Sequence, residues 1–259
     1  MVFFRGEVVM RQTRFDGKGS RIRWTESVGA GPARVFVHGL GSASAVQHAH
    51  LGADPRLAGR RTLYVDLPGH GISDRPADFG YTLAEHADAL AAVLDFAATG
   101  PVQLVAHSMG GAVALVLARR RPELVGSLVL TEANLDPDPP AEAGSSRIAA
   151  YTEADFLAFG FTEVLGRVGA GWAATMRLTD PLALHRSAVS LVRGSRPVMR
   201  EILRTLPQHR VYVQGGRSGP LDGAEELVRY GVRVVTVPGA GHNVMFDRPE
   251  AFAEVLAAN

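Results

Sequence analysis

Residues 102–114, VQLVAHSMGGAVA, decide how this chain is organised. Val102 to Val105 reads as a short buried strand. Gly110 to Leu117 reads as the start of a helix rich in Ala, Val and Leu. Between them lies Ala106-His107-Ser108-Met109-Gly110, a small-x-Ser-x-small pattern. This is the G-x-S-x-G nucleophile elbow with Ala106 in the first glycine position. A turn this sharp forces the positions two before and two after the serine against neighbouring backbone, where only small side chains fit. It lifts the Ser108 hydroxyl out of the sheet edge. It also aims the Met109 N–H, at a helix N-terminus, at the place where an oxyanion would form.

Upstream, Arg34 to Val37 reads as a buried strand running into His38-Gly39-Leu40-Gly41-Ser42. Small residues there let the backbone turn tightly and leave N–H groups free. Thr62 to Val65 is the next strand, followed by the turn-rich loop Asp66-Leu67-Pro68-Gly69-His70-Gly71. Thr82 to Ala97 is a helix with a capping box at Thr82-Leu83-Ala84-Glu85, and Gly100-Pro101 stops it. Further upstream, 2–12 and 21–26 read as a hairpin at a sheet edge, joined through Asp16-Gly17-Lys18-Gly19.

Downstream, Ser127 to Leu130 is a strand ending at Thr131-Glu132. The strand–helix rhythm then breaks. Residues 135–205 carry helical patches and Pro- and Gly-rich punctuation but no convincing strand. The rhythm returns with a strand at Val211 to Gln214, a helix at Asp222 to Tyr230 and a strand at Arg233 to Val237. A last helix is expected to be capped by Asp247, with Pro249 and Glu250 in its first turn. Alternating strands and helices predict an α/β fold, a doubly wound and mostly parallel sheet. The predicted organisation is a core of 1–134 and 206–259, with a helical lid at 135–205 over the carboxyl ends of the strands.

A chain of 259 residues with 46% hydrophobic residues can bury a large core in one domain plus an insertion. The net charge of +1 points to neither nucleic acid nor an anionic membrane. Without cysteine there is no thiolate nucleophile, disulfide or Cys-ligated metal. Lys18, the only lysine, leaves no other position for a Schiff base. The apolar start is interrupted at Arg5, and no run of about 18 apolar residues follows, so a cytoplasmic protein is expected. His48-Ala49-His50 has HxH spacing without a carboxylate cluster. It is read as ordinary histidines, with His48 at the pocket mouth, and neither metal nor cofactor is expected.

A serine hydroxyl needs a base within reach and a third group to fix that base. In an open α/β sheet each should sit at the carboxyl end of a strand. His242, in Pro238-Gly239-Ala240-Gly241-His242-Asn243 after the last strand, is the candidate base. With it in place, four motifs stand in order: His38-Gly39-Leu40-Gly41, Asp66 to Asp74, His107-Ser108-Met109-Gly110-Gly111 and Gly239-Ala240-Gly241-His242. Over nearly its whole length the chain resembles the α/β-hydrolases. The resemblance implies Ser108 as nucleophile, His242 as base, and the Leu40 and Met109 N–H groups as oxyanion hole. It implies a structural role for the 66–74 loop.

The acid departs from the commonest pattern. Most relatives carry an Asp shortly after the strand read here as Val211 to Gln214, where this chain has Gly215-Gly216-Arg217-Ser218. Ser218 cannot bear the charge that stabilises an imidazolium. Some relatives place the acid at the end of the strand after the elbow helix, and that position nominates Glu132, with Asp136 and Asp222 in reserve. The candidate site is thus Ser108, His242 and Glu132, with Leu40 and Met109. Gly39, Trp172 and Met245 are expected to meet substrate. Phe156, Leu157, Phe159, Phe161, Val164, Leu165, Met176 and Leu178 make the lid largely apolar.

These expectations describe a cofactor-free serine hydrolase of small apolar esters or lactones, acting through an acyl-enzyme. The rivals are a C–C hydrolase or perhydrolase with the same triad, and a catalytically weak ligand-binding protein of the same fold. Ser108 excludes the Asp-nucleophile chemistry of haloalkane dehalogenases and epoxide hydrolases.

Overall fold

A computed structural model describes residues 8–137 and 139–259. Its centre is an eight-stranded sheet: β1 (Val8–Arg14), β2 (Arg21–Ser27), β3 (Ala30–Val37), β4 (Arg60–Asp66), β5 (Val102–His107), β6 (Val125–Thr131), β7 (His209–Gly215) and β8 (Val232–Val237). The order across the sheet is β1-β2-β4-β3-β5-β6-β7-β8. β1 and β2 form the expected antiparallel hairpin, and β2 runs antiparallel to β4. Every other pairing is parallel. Residues 2–7 of the expected first strand lie outside the described residues, and the strand runs on to Arg14.

The central strands are buried on both faces, so they read as near-continuous apolar runs. Period-two alternation still sorts their side chains into two cores. Leu104, Ala106, Leu128 and Leu130 pack on one face with α2 (Leu83–Ala97) and α3 (Met109–Arg120). Val105, Val129, Val211 and Val213 face the other way, toward Phe252 and Leu256 of the Pro249–Ala257 helix. The capping box of α2 forms as expected, with Thr82 Oγ1 accepting from the Glu85 N–H and Glu85 Oε2 accepting from the Thr82 N–H.

Between β6 and β7 the described residues hold helices and no strand, among them Gly144–Ala149, Phe161–Arg167, Ala170–Met176, Pro181–Arg193 and Met199–Thr205. The Pro181–Arg193 helix docks on the sheet domain through the Asp180 N–H to the Gly69 carbonyl (2.8 Å) and the Leu83 N–H to Ser190 Oγ (3.1 Å).

The last helix departs from the expected start. Arg248, not Asp247, occupies its N-cap. The Asp247 carboxylate turns away, accepting from the Gly241 N–H (2.7 Å) and from Arg217 Nη2 (2.7 Å). It braces the loop that carries His242.

Candidate active site

Parallel pairing brings the carboxyl ends of β3, β5, β6, β7 and β8 to one edge. His107 pairs with Thr131, and Thr131 with Val213. The next residues, Ser108 and Glu132, therefore leave neighbouring strands side by side. Both adopt φ of +50°, a left-handed backbone that residues with a Cβ rarely take. The ladder holds them there: the Ser108 N–H donates to the Thr131 carbonyl and the Glu132 N–H to the Val213 carbonyl, each at 2.9 Å. Such strain persists where the surroundings over-determine it, as at functional sites.

The small residues of the elbow are required by contact. A Cβ on Gly110 would stand 2.4 Å from the His38 carbonyl oxygen, and one on Gly111 would stand 2.4 Å from the Ala133 Cβ. Ala106 keeps its methyl, buried in the core.

The structure brings Glu132 and His242 together. Glu132 Oε2 lies 3.4 Å from His242 Nδ1, and Glu132 Oε1 accepts from the Gly215 N–H at 2.7 Å. Burial opposes ionisation of Glu132. Hydrogen bonds from His242, the Gly215 N–H and Ser218 outweigh it and hold the carboxyl below its usual range. Ser218 thus supports a carboxylate supplied by the neighbouring strand. Of the reserve acids, Asp136 pairs with Arg200 at the surface, and the same guanidinium donates to the backbone carbonyl of Asp222; the carboxylate that meets His242 Nδ1 is that of Glu132.

Ser108, 9% exposed, lines a cavity of about 720 Å³ together with Gly39, Leu40, Asn134, Trp172 and His242. Its hydroxyl donates to Asn134 Oδ1 at 3.4 Å rather than to His242. Catalytic hydrogen bonds in unliganded sites are often long or misaligned and tighten only with substrate. The Met109 N–H, first in its helix, has no carbonyl one turn earlier. The Leu40 N–H donates to no group among the described residues. Neither N–H has a partner among the described residues, and at the start of α3 the helix dipole favours an anion.

Trp172 lines the cavity, and its indole also has a structural task. Nε1 donates to the Leu40 carbonyl (2.9 Å), while Thr175 Oγ1 donates to the Gly41 carbonyl (2.9 Å). The helix Ala170–Met176 therefore grips the loop that carries the Leu40 N–H. Two expectations are corrected. Met245 is fully buried, packed among Val244, Phe252 and their neighbours; the half-exposed Phe246 lines the cavity instead. Hydrophobic side chains on both sides of the last helix start decided this, and the helical turn Val244–Asp247 points Met245 inward. His48 does not reach the pocket mouth. It is fully buried, stacked on Phe36 with centroids 4.8 Å apart. Of the apolar residues of the insertion, Phe156 and Met176 are fully buried and Leu157 and Phe159 are exposed. Trp172 reaches the cavity, and polar Ser145, Asn134 and Thr175 share the wall.

Asn134 and Gln47 belong to this neighbourhood and were not singled out by sequence; Asp247 belongs to it too and was read only as a helix cap. Asn134 had a signal, a polar residue three positions past the end of a buried strand. The other two had none that is local. The 66–74 loop is held by its own bonds. Asp66 accepts from the Ser44 N–H (2.6 Å) and the Ile72 N–H (3.0 Å), and Ser73 Oγ donates to the Asp66 carbonyl (2.5 Å). Among the described residues no group of three or more His, Asp or Glu side chains is arranged to hold a metal ion, and no helix is long and apolar enough to cross a membrane.

The family model described as "Alpha/beta hydrolase family" matches residues 35–255. The chain is 30% identical to the 2-(acetamidomethylene)succinate hydrolase of Mesorhizobium japonicum, over 86% of this chain and 85% of that protein. It is 31% identical to Esterase Rv0045c of Mycobacterium tuberculosis, over 93% of this chain and 85% of the relative. Among solved structures, a mutant of the N-acyl homoserine lactonase AidH complexed with N-hexanoyl homoserine superposes with a TM-score of 0.75 at 21% identity. That match covers 97% of this chain and 96% of the other.

Proposed function

The chain belongs to the alpha/beta hydrolase family, and on that premise we propose that it is a cofactor-free serine hydrolase of carboxylic esters or lactones with an apolar acyl or aryl group. The observation that carries the reading is the Glu132–His242 contact, at 3.4 Å, beside a serine held at φ +50° on a cavity wall. A carboxylate on Nδ1 fixes the imidazole tautomer that leaves Nε2 free to take a proton.

In this reading the Ser108 hydroxyl attacks the carbonyl carbon as His242 Nε2 accepts its proton. The Leu40 and Met109 N–H groups bind the oxyanion, and Glu132 stabilises the imidazolium. The proton passes to the leaving alkoxide, and a water molecule then releases the acyl group by the reverse sequence. Residues 135–205 act as a lid, with Trp172 forming part of the roof. The cavity, about 720 Å³, has room for a substrate of moderate size. Leu40, Val46, Leu191 and Phe246 in its lining favour an apolar acyl chain.

The test is turnover of p-nitrophenyl esters of graded acyl length and of acyl lactones by the wild-type protein and by Ser108→Ala. The reading expects wild-type hydrolysis, with the variant reduced to background while it still binds product. Equal turnover by the two proteins contradicts it. Cleavage of vinylogous diketones in preference to every ester would move the assignment to the C–C hydrolase rival.

A further inference from the structure

One unbroken chain of hydrogen bonds crosses the site outside the triad. The Gly39 N–H donates to Gln47 Oε1 at 3.1 Å. Gln47 Nε2 donates to His107 Nδ1 at 2.7 Å. His107 Nε2 donates to the His242 carbonyl oxygen at 2.9 Å. The chain begins in the loop after β3 that supplies the oxyanion hole. It passes through α1 (Ser44–His48) and the residue before the nucleophile, and it ends on the backbone of the base. Gln47 and His107 are 2% and 4% exposed, so water competes little for these bonds.

The direction of each bond follows from the first. A backbone N–H only donates, so the Gln47 amide turns its oxygen to Gly39. Its NH₂ then faces His107, whose Nδ1 must carry no proton. The neutral ring therefore carries its proton on Nε2, where the His242 carbonyl accepts it. Burial, and after it the proximity of His242, hold His107 well below the usual histidine range, so the ring stays neutral. The two imidazoles meet edge to face with centroids 4.8 Å apart. A neutral ring there does not oppose the positive charge that His242 gains during acyl transfer. A Cβ on Gly39 would stand 2.6 Å from His107 Nδ1, so the loop lies directly against the ring.

We propose that Gln47 and His107 are positioning residues, which hold the oxyanion loop and the His242 loop in one register about Ser108. The proposal rests on the serine-hydrolase reading. Neither residue transfers a proton to substrate. Each acts by keeping donors and base within the narrow geometry that acyl transfer needs.

Gln47→Glu is the informative change. It keeps the size of the side chain and the acceptor for the Gly39 N–H, but offers His107 Nδ1 an acceptor where it had a donor. With the new carboxyl ionised, His107 must either move its proton to Nδ1, abandoning the His242 carbonyl, or become charged beside His242; the kinetic comparison is therefore made at pH 9, above the range of a buried carboxyl. With p-nitrophenyl butyrate as probe, kcat per fluorophosphonate-titratable Ser108 should fall roughly 10- to 100-fold, with KM within about twofold. His107→Gln, which keeps a terminal donor for the carbonyl, should retain more of that kcat than His107→Leu. In the wild-type protein, ¹⁵N-detected imidazole shifts should show His107 as the Nε2–H tautomer.

Wild-type kcat per titrated site in Gln47→Glu, or a loss confined to KM or to the titratable fraction, overturns the proposal. So does an Nδ1–H tautomer at His107, whatever the variants do. A wild-type protein whose Ser108 takes no label overturns the serine-hydrolase reading itself, and this proposal with it.

Discussion

Glu132 carries two unusual features at once, a left-handed backbone and a half-buried carboxylate that faces an imidazole. The first produces the second: the turn at φ +50° swings the side chain off the strand direction, toward the loop after β8. On the proposed mechanism Glu132→Gln lowers kcat by on the order of 10⁴, because an amide can hold the imidazole in the wrong tautomer. Asp136→Asn and Asp222→Asn should leave kcat within about twofold, since Arg200 holds the Asp136 carboxylate at the surface and the carboxylate on His242 Nδ1 is that of Glu132. Steady-state kinetics of the three variants on one ester tests this, and a large loss in either Asp variant would reassign the acid. Ser108 and His242 were legible because their patterns are local, a turn that tolerates only small neighbours and a Gly-rich loop after a strand. Glu132 became legible through the vacancy at Ser218. Gln47 was not legible, because its partner His107 lies 60 residues away and no local pattern marks the pair.

At the scale of elements, the elbow works because α3 starts close against the end of β3. Gly110 is the point of closest approach, 2.4 Å from the His38 carbonyl oxygen for any added Cβ. Backbone cannot retreat as the tip of a flexible side chain can. Gly110→Ala should therefore cost about 1–3 kcal/mol of stability and displace the Met109 N–H as well. Urea unfolding measures the first effect and kcat the second, and a variant with unchanged midpoint and rate would contradict this account of the turn. The periodic elements, α2 above all, were readable with their caps. The start of the last helix was not, because Asp247, a good cap by residue type, is drawn off by the Gly241 N–H and Arg217. Tertiary bonds of this kind override capping preference and leave no trace in residue order. The grip of Trp172 and Thr175 on the 40–41 loop was likewise hidden, although Trp172 itself stood out as a large aromatic residue in the helical insertion.

For the whole molecule, the fold was readable because buried parallel strands announce themselves as short apolar runs, and five of them end in loops with functional residue types. What the runs could not show is how much polar chemistry lies beneath the sheet edge. His38, His48 and His70 are fully buried, and burial lowers them to about 4, 3 and 3 respectively. His86 and His107 are also pushed well below the ordinary value, by burial first. All five are neutral in the folded protein and protonate near pH 6.5 once unfolded. The unfolded chain therefore binds more protons between about pH 6.5 and about pH 3–4, and stability falls as pH drops through that window. Asp66, raised by burial to about 6, acts with the opposite sign but is one group against five. Urea midpoints should be nearly level from pH 8 to 7 and decline steeply below pH 6.5. A stability maximum near pH 5 would contradict the neutral assignment of these histidines.

The central claim is that Ser108 is an activated nucleophile. Labelling the folded wild-type protein with a fluorophosphonate, followed by peptide mass spectrometry, addresses it most directly. The account predicts one adduct per chain, on Ser108, formed in the wild-type protein and slowed strongly in Glu132→Gln. A folded protein that takes no label at Ser108, or takes it on another residue, would contradict the account.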